Sequence, residues 1–318
     1  MSESKTALLF IHALTGLHPG SGTALGTVDL PVQRERHTNW PVIPGSALKG
    51  ILRDACRKKA RANYGGNRSR ANEEDPKLTA VFGPDKIEDP DTAHAGALSL
   101  TDARILAFPV RSLCGVFAWV TCPAVLERLN RDLKLLNETA KGVPIPKIDQ
   151  KIDRNKAACS ANSPLLIDGD RLVLEEFEFV RTDDSANGVA EWIAAQAVSD
   201  ETTQERIKTH LAVLYDDDFT HFVRYATEVV ARIGLDYERK TVKSGALFYE
   251  EFLPPETLFY ALAIAAASRS KEHAITSGQV IKYVQQALPP VLQIGGDETI
   301  GKGLCAVRLV DGGEEVGG

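Results

Sequence analysis

Residues 18–53 read HPGSGTALGTVDLPVQRERHTNWPVIPGSALKGILR, a loop rich in glycine and proline that runs into the start of a basic helix. A short apolar segment precedes it, TALLFIHAL at 6–14, which predicts a buried strand that stops before Gly16. Loops of this length in compact domains usually carry function or lack order. The order of strand, long loop and helix therefore makes this loop the first candidate for a functional site.

The helix expected over residues 47–65 separates an apolar face from a basic one. Ser46 follows Gly45 and is expected to cap the helix through its hydroxyl group. Apolar side chains recur at intervals of three and four residues, at Leu48, Ile51, Leu52 and Ala55. Cations follow a separate stripe, at Lys49, Arg53 and Arg57. One face should therefore pack on a core while the other presents positive charge.

The rest of the chain alternates between strand and helix patterns, which predicts the α+β class. Apolar runs predict strands on both sides of the turn-rich segment 108–115, a hairpin closed at Asp168–Gly169, and a core element at 257–267. Amphipathic runs predict helices at 123–138 and 277–288. Two regions have no clear period: 63–95, expected to be an irregular insertion, and 181–245, expected to contain a further insertion.

Positive charge is concentrated in one part of an acidic chain. The whole chain carries a net charge of −6, but residues 31–70 hold ten Lys and Arg against two Asp and Glu. A basic stripe on an acidic body suits a protein that holds a polyanion on one face only. A solvated helix face without a ligand explains the same pattern, and charge alone favours that explanation.

Other classes of protein are disfavoured by composition. No apolar run reaches the roughly 18 residues that a membrane span needs, and no signal peptide is recognisable, so a cytoplasmic protein is expected. The five cysteines include no C-x-x-C pair, which predicts buried free thiols rather than disulfides or a zinc site. The histidines, among them His12, His18 and His37, lack the spacing of a metal cluster.

A glycine-rich loop near the C-terminus, GGDETIGKG at 295–303, resembles a nucleotide-binding P-loop only in part. Gly296, Gly301 and Lys302 satisfy the spacing G-x-x-x-x-G-K, but Gly303 stands where Ser or Thr is needed, and a strand follows instead of a helix. An NTPase is therefore rejected. The loop either brings its amides close to phosphates or forms a tight turn without a ligand.

Asp29 is an isolated carboxylate in the long loop, near Arg34, Arg36 and His37. A carboxylate in a basic, glycine-rich loop can hold a metal ion or accept a proton. Taken alone, such a residue is more often part of a turn.

Four long blocks together resemble the backbone subunits of the type III-B CRISPR effector, the Cmr complex, in the RAMP superfamily. The first block is residues 18–53. The others are TDARILAFPVRSLCGVFAWVTCP at 101–123, RIGLDYERKTVKSGALFYEEFLP at 232–254 and LQIGGDETIGKGLCAVRL at 292–309. They occur in the family's order across nearly the whole chain, and the match is poor at 63–95 and 181–220.

The resemblance implies a single RAMP domain over 1–318, with an RRM-like (ferredoxin-like) palm. It implies insertions at about 63–95 and 181–245, the second containing a thumb hairpin. Copies would stack head-to-tail along a CRISPR guide RNA, beside other Cmr subunits, and the thumb would displace one nucleotide in every six of the guide–target duplex. Asp29 would be the catalytic residue that cuts complementary target RNA, with a divalent metal ion, Mg²⁺ or Mn²⁺.

The resemblance also implies a set of RNA-binding residues. They are His18, Arg34, Arg36, His37, Ser46, Lys49, Arg53, Gly301, Lys302 and Gly303. Phosphate contacts of this kind supply affinity, while base pairing reads the sequence. Two alternatives stay open: a backbone subunit without nuclease activity, and a stand-alone nuclease for guide precursors that uses His18 or His37.

Overall fold

The computed structural model describes residues 4–85, 93–136, 151–270 and 273–311. Its strands are β1 Lys5–Ala13, β2 Val42–Ile43, β3 Leu98–Leu100, β4 Ala103–Arg111, β5 Phe117–Thr121, β6 Lys156–Cys159, β7 Leu166–Ile167, β8 Arg171–Leu174, β9 Phe177–Arg181, β10 Leu211–Leu214, β11 Glu228–Leu235, β12 Val242–Phe252, β13 Leu258–Ala265, β14 Val291–Gln293 and β15 Leu304–Asp311. Its helices are α1 Gly45–Ala60, α2 Arg68–Glu74, α3 Pro76–Phe82, α4 Pro123–Leu136, α5 Asn187–Ala197, α6 Glu201–His210, α7 Asp216–Tyr225 and α8 Ser277–Ala287.

Thirteen strands form one mixed sheet, and β11 pairs with β12 in a separate two-stranded ribbon. The main path of the sheet runs β14-β15-β1-β13-β4-β5-β10-β6-β9-β8-β7, with β2 joined to β4 and β3 to β13. These elements confirm the predicted α+β class. Within the part of the chain that the structure describes, no helix is long and apolar enough to cross a membrane.

Strand β1 lies inside the sheet, third from the edge that β14 forms. It is antiparallel to β13 on one side and to β15 on the other, so that Leu8 lies opposite both Leu262 and Val310. Strand β13 is also antiparallel to β4, which gives the local order β15-β1-β13-β4. Helix α1 comes between β1 and β4 in the chain, α8 comes between β13 and β15, and the two helices pack against each other.

The core surrounds β1, whose residues 7–13 are all buried. Neighbouring side chains of a strand point to opposite faces, so a continuous buried run requires cover on both faces of the sheet. Helices α5 and α8 both contact β1, and the Phe10 and Trp192 rings meet edge to face at 5.9 Å. The predictions of a buried strand at 6–14 and a core element at 257–267 are confirmed by β1 and β13.

The predicted helices and hairpin are also present. Helix α4 begins at Pro123, α8 spans Ser277–Ala287, and β7 pairs with β8 around Asp168–Gly169. Strand β4 extends further than expected: it continues through Pro109, which lies opposite Trp119, so the turn is shorter than the predicted segment 108–115. Four of the five cysteines are buried free thiols, as predicted, and Cys114 is half-buried.

The expectation of an irregular insertion at 63–95 is wrong for residues 68–82. This segment forms α2 and α3, and each helix is capped by a side chain at its start. Asn67 accepts a hydrogen bond from the amide of Arg70, and Asp75 accepts one from the amide of Leu78. The abundance of Asn and Asp that looked irregular thus marks two helix starts, because these residues favour the N-cap.

The second insertion is also smaller than predicted. Residues 187–225 belong to the main body, since α5 buries most of its apolar side chains and β10 lies in the sheet between β5 and β6. Only the ribbon of β11 and β12 stands apart, and most of its residues are half-buried or exposed. The strands and helices of this region are short and mix charged with apolar residues, so the periodicity of the sequence does not reveal their packing.

Candidate catalytic loop and nucleic-acid interface

The long loop after β1 is attached to the base of the β11–β12 ribbon. The main chain of Tyr249 on β12 accepts hydrogen bonds at its carbonyl from the amides of Asp29 and Leu30, at 3.1 and 3.0 Å. The amide of Tyr249 donates in return to Oδ2 of Asp29 at 2.7 Å. These three bonds hold Asp29 against the ribbon, although it lies in the long glycine-rich and proline-rich loop.

The carboxylate of Asp29 is fixed at one oxygen and open at the other. The residue is exposed, and no donor among the described residues reaches Oδ1. An oxygen held by a backbone amide fixes the orientation of the group, and the free oxygen can accept a proton or bind a cation. The geometry therefore gives Asp29 a defined orientation towards solvent at the foot of the ribbon.

Glu251, two residues after Tyr249, holds the chain that follows Asp29. Its side chain is buried, and its oxygens accept hydrogen bonds from the amide of Val32 at 3.0 Å and from the guanidinium of Arg34 at 2.6 Å. Arg34 also donates to the carbonyls of Asn39 and Val223, at 2.9 and 2.8 Å. Arg34 is expected to bind RNA, but three of its five N–H donors are used inside the protein, where they support the loop; a contact with RNA stays a prediction.

Glu250 joins the ribbon to the C-terminal loop. Arg232 on β11 lies 3.1 Å from Glu250 and 3.3 Å from Asp297, so one cation lies between two carboxylates. Burial raises the pKa of Glu250, and the nearby Asp297 raises it further. This cluster places the glycine-rich loop beside the base of the ribbon.

His18 lies beneath the loop and is 8% exposed. Its Nδ1 is 2.7 Å from the carbonyl oxygen of Glu251. Since a carbonyl only accepts, Nδ1 must carry the hydrogen. The Nε2 atom is 3.8 Å from Glu250, and the ring lies 5.6 Å from that of Phe252. His18 therefore helps to hold the long loop against the ribbon. A direct contact of its ring with RNA stays a prediction.

The glycine-rich loop packs on the segment around His18 with its amides already in use. The amides of Gly301, Lys302 and Gly303 donate to the carbonyls of Glu298, Asp297 and Gly16, at 3.0, 3.2 and 2.8 Å. Of the two alternatives for this loop, these bonds favour the tight turn, and binding of RNA by the loop stays a prediction. The Lys302 ammonium lies 4.7 Å from the centre of the Phe252 ring.

Gly301 and Gly303 of this loop differ in their surroundings. Both have a positive φ, 75° at Gly301 and 74° at Gly303. A Cβ atom at Gly303 would collide with the carbonyl oxygen of Ile294, whereas one at Gly301 would meet nothing within 4 Å. Gly303 is buried and Gly301 is exposed, so the backbone demands glycine most strongly at Gly303.

The cations of helix α1 differ in their burial and in their partners. Arg53 donates to the carbonyl of Gly83 at 2.9 Å and is largely buried against the segment after α3. Lys49 is half-buried and has no carboxylate partner among the described residues. Burial and the neighbouring Arg53 lower the pKa of Lys49. A bound anion would compensate this desolvated cation, which keeps Lys49 a candidate phosphate ligand and weakens the case for Arg53.

The second half of α1 borders a basic cleft of about 620 Å³ beside β14. Three of its four cations share one carboxylate, Asp54, which lies 3.0 Å from Lys58 and 3.9 Å from Arg68 and also pairs with Arg57. With Lys59 as the fourth cation and Glu298 as the second carboxylate in the lining, the cleft holds more positive than negative charge. The cleft extends the surface that begins at Lys49.

The remaining predicted RNA ligands are accessible. Arg36 and Ser46 are exposed, and the His37 side chain is 72% exposed. The guanidinium of Arg128 donates to Nε2 of His37 at 2.9 Å. Ser46 does not cap α1, because the helix already begins at Gly45, whose amide donates to Asp102 at 2.7 Å.

The donor set suits a hydrated divalent ion better than a metal held by protein alone. No group of three or more His, Cys, Asp or Glu side chains suited to a metal occurs among the described residues. Mg²⁺ commonly keeps several waters and takes one or two carboxylates together with substrate phosphates. Asp29, with its open oxygen, fits the role of such a single carboxylate.

Sequence reasoning missed the support of the loop, formed by Arg232, Tyr249, Glu250 and Glu251. Two adjacent carboxylates inside the strand segment FYEEFLP were the available signal, since buried carboxylates need partners.

Comparison with known proteins agrees with this architecture. The model of the RAMP superfamily matches residues 10–306. The CRISPR system Cmr endoribonuclease Cmr4 of Pyrococcus furiosus is 39% identical over 312 residues, 96% of each chain. The crystal structure of oligomeric Cmr4 from Pyrococcus furiosus superposes with a TM-score of 0.68 and 33% identity, covering 96% of this chain and 98% of that one.

A type III-B Cmr-beta structure bound to cognate target RNA shares the fold. Its TM-score is 0.68 at 22% identity, and 96% of each chain is covered. Because the family model matches nearly the whole chain and a relative is 39% identical over 96% of both chains, the chain belongs to the RAMP superfamily and, within it, to the family of Cmr4 backbone subunits of type III-B CRISPR effectors.

Proposed function

We propose that this chain binds guide RNA as the repeating backbone subunit of a type III-B effector and cleaves the RNA that pairs with the guide. The relative named an endoribonuclease covers 96% of the chain at 39% identity. The observation that carries the proposal is Asp29, an exposed carboxylate whose Oδ2 is fixed by the amide of Tyr249 at 2.7 Å.

The body of the subunit serves as the palm. The order β15-β1-β13-β4, with α1 and α8 as connections, supports an RRM-like (ferredoxin-like) palm, since this is the strand order of that fold. The β11–β12 ribbon is the thumb, which enters the guide–target duplex and displaces one nucleotide in six. Helices α2 and α3 form the first insertion of the single RAMP domain.

The guide lies along α1, where its phosphates meet cations. Lys49 and the accessible cations of the basic cleft support this path, because affinity for a nucleic-acid backbone comes mainly from such contacts. The sequence of the target is read by base pairing with the guide. Arg36, His37 and Ser46 are accessible for further contacts in the loop before the helix.

Cleavage at Asp29 uses the 2′-hydroxyl beside the displaced nucleotide. Displacement frees this nucleotide from A-form geometry, so that its 2′-oxygen can align with the adjacent phosphorus, an effect of orientation. The new oxygen–phosphorus bond replaces the bond to the next 5′-oxygen, which takes a proton from solvent. The products are a 2′,3′-cyclic phosphate and a 5′-hydroxyl.

Asp29 either accepts the proton of the attacking hydroxyl or holds the divalent ion. Mg²⁺ or Mn²⁺, when bound, stabilises the charge that develops on the phosphate. The fixed orientation of the carboxylate suits both roles, because one oxygen is held by the ribbon and the other is open to solvent.

Reconstitution tests the proposal. The chain is assembled with its partner Cmr subunits, a guide and end-labelled complementary RNA, with and without a chelator. We expect cutting only of complementary RNA, its loss on chelation and its return with added Mg²⁺ or Mn²⁺. Cutting of a guide precursor by the chain alone, without metal, would instead identify a processing nuclease.

A further inference from the structure

We propose that Glu251 is a positioning residue that keeps Asp29 in register with the ribbon, an inference that rests on the proposed role of Asp29 in cleavage. Glu251 lies two residues from Tyr249 on β12. It binds the loop from a buried position, whereas Asp29 itself is exposed. In this proposal Asp29 faces the substrate, and Glu251 holds the loop from inside the protein.

Glu251 connects to the loop at three successive points. Its amide donates to the carbonyl of Leu30 at 3.0 Å, and its carboxylate accepts from the amide of Val32 at 3.0 Å and from Arg34 at 2.6 Å. Together with the bonds of Tyr249, these contacts fasten a continuous segment of loop to one strand. The loop must therefore follow any movement of the base of the ribbon.

The ion pair with Arg34 extends this connection to the body of the protein. The side chains of Glu251 and Arg34 are 7% and 18% exposed, so neither charge is well solvated. Arg34 also donates to the carbonyls of Asn39 in the loop and Val223 in α7. Removing one member of such a pair leaves the other charge buried without its partner, which lowers the stability of the folded state.

A functional consequence follows from this geometry. The ribbon displaces a nucleotide, and Asp29 must meet the phosphate next to that nucleotide. Because Glu251 and Tyr249 lie on the same strand, the displaced nucleotide and the cutting group keep a constant separation. A displacement of about 1 Å in such a group can lower a rate by roughly 100-fold.

Glu251→Gln tests the inference through two independent readouts. Gln preserves the shape but lacks the charge that pairs with Arg34. Hydrogen exchange at the amides of Asp29, Leu30 and Val32, measured on the assembled complex, should accelerate about tenfold or more as the loop opens locally. The cleavage rate at saturating target should fall at least about tenfold, while affinity for guide and target stays unchanged.

Asp132→Asn is the matched control. Asp132 has a side chain that is also 7% exposed and pairs with Arg104 at 2.5 Å, far along the chain from the loop. The Asp132→Asn substitution should leave both the hydrogen exchange of the loop amides and the cleavage rate as they are in the parent protein. The double variant Glu251→Gln with Arg34→Gln restores a neutral hydrogen-bonding pair and should recover part of the protection, a coupling that a double-mutant cycle measures.

The outcomes separate the two proposals. Unchanged exchange at Asp29, Leu30 and Val32 in Glu251→Gln would overturn the positioning role. Faster exchange with undiminished cleavage would confirm the attachment of the loop but place the cutting group elsewhere, which contradicts the proposed function. If Glu251→Gln does not fold, Arg34→Gln replaces it, because it removes the same ion pair from the other side, and parental exchange and cleavage rates there would overturn the inference.

Discussion

At the scale of single residues, the site depends on contacts between distant parts of the chain. The sequence and its resemblance identified Asp29, but they gave no sign that the amide of Tyr249 orients its carboxylate across 220 positions of sequence. They also predicted Arg34 as an RNA ligand, and gave no sign that three of its five N–H donors go to Glu251, Asn39 and Val223. Pairing over such separations leaves no local pattern for periodicity to detect.

Two glycines in one loop give a prediction about stability. Gly303→Ala should lower the free energy of unfolding by about 2–4 kcal/mol, because the positive φ strains alanine and its Cβ meets the Ile294 carbonyl. Gly301→Ala has the strain without the collision and should cost about 1 kcal/mol. Urea denaturation of both variants measures the difference, and equal losses would show that the close approach at Gly303 has no effect.

At the scale of elements, periodicity predicted the strands and helices that cross the core but not their ends. Strand β1 and helices α1, α4 and α8 fall where their apolar spacing placed them. The cap of α1 was assigned wrongly to Ser46, because the true acceptor, Asp102, comes from another part of the chain. A cap supplied across the fold is invisible to a rule based on neighbouring residues.

The two candidate caps of α1 can be separated by mutation. Asp102→Ala should lower the free energy of unfolding by about 1 kcal/mol, because the amide of Gly45 loses its acceptor at the helix start. Ser46→Ala should change stability by less than about 0.5 kcal/mol, as for other exposed substitutions. Thermal unfolding compares them, and a larger loss from Ser46→Ala would restore the hydroxyl as the cap.

The cations of α1 carry a second prediction at this scale. Lys49→Gln with Lys58→Gln should weaken guide binding and reduce the slope of log affinity against log salt by about 1.4, since each single-stranded phosphate contact contributes about 0.7. Affinity measured between low and moderate salt gives the slope.

The control removes the same charge from exposed positions elsewhere, Arg171→Gln with Lys208→Gln, whose partners are the neighbouring carboxylates Asp168 and Glu205. This variant should keep the parental slope. A Lys49 and Lys58 variant with the parental slope would mean that α1 faces solvent in the complex.

At the scale of the whole molecule, an acidic body carries a basic surface and a projecting ribbon. The alternating patterns in the sequence predicted the α+β class, but they did not predict that thirteen strands join one main sheet. Strands such as β7 and β10 are too short to show a period, and they join the sheet through partners far away in sequence. Residues 187–225 therefore looked like an insertion although they form part of the body.

The head-to-tail stacking that the family resemblance implies predicts open assembly. A subunit that contacts its neighbour through different surfaces makes heterologous contacts, and these propagate unless the rotation closes a ring. Guide RNA should therefore direct rods whose length increases with the length of the RNA. Electron microscopy of complexes on guides of several lengths measures this, and closed rings or dimers of constant size would contradict it.

The central claim is that each subunit cuts target RNA with Asp29. The most direct measurement is a denaturing gel of end-labelled target after incubation with complexes that contain the parent chain, Asp29→Ala or Asp29→Asn. The parent should give a ladder of cuts every six nucleotides, and both variants should lose it while still binding guide and assembling, since an exposed loop carboxylate contributes little to folding. His37→Ala should retain the ladder. An intact ladder with Asp29→Ala would show that the cutting group lies elsewhere.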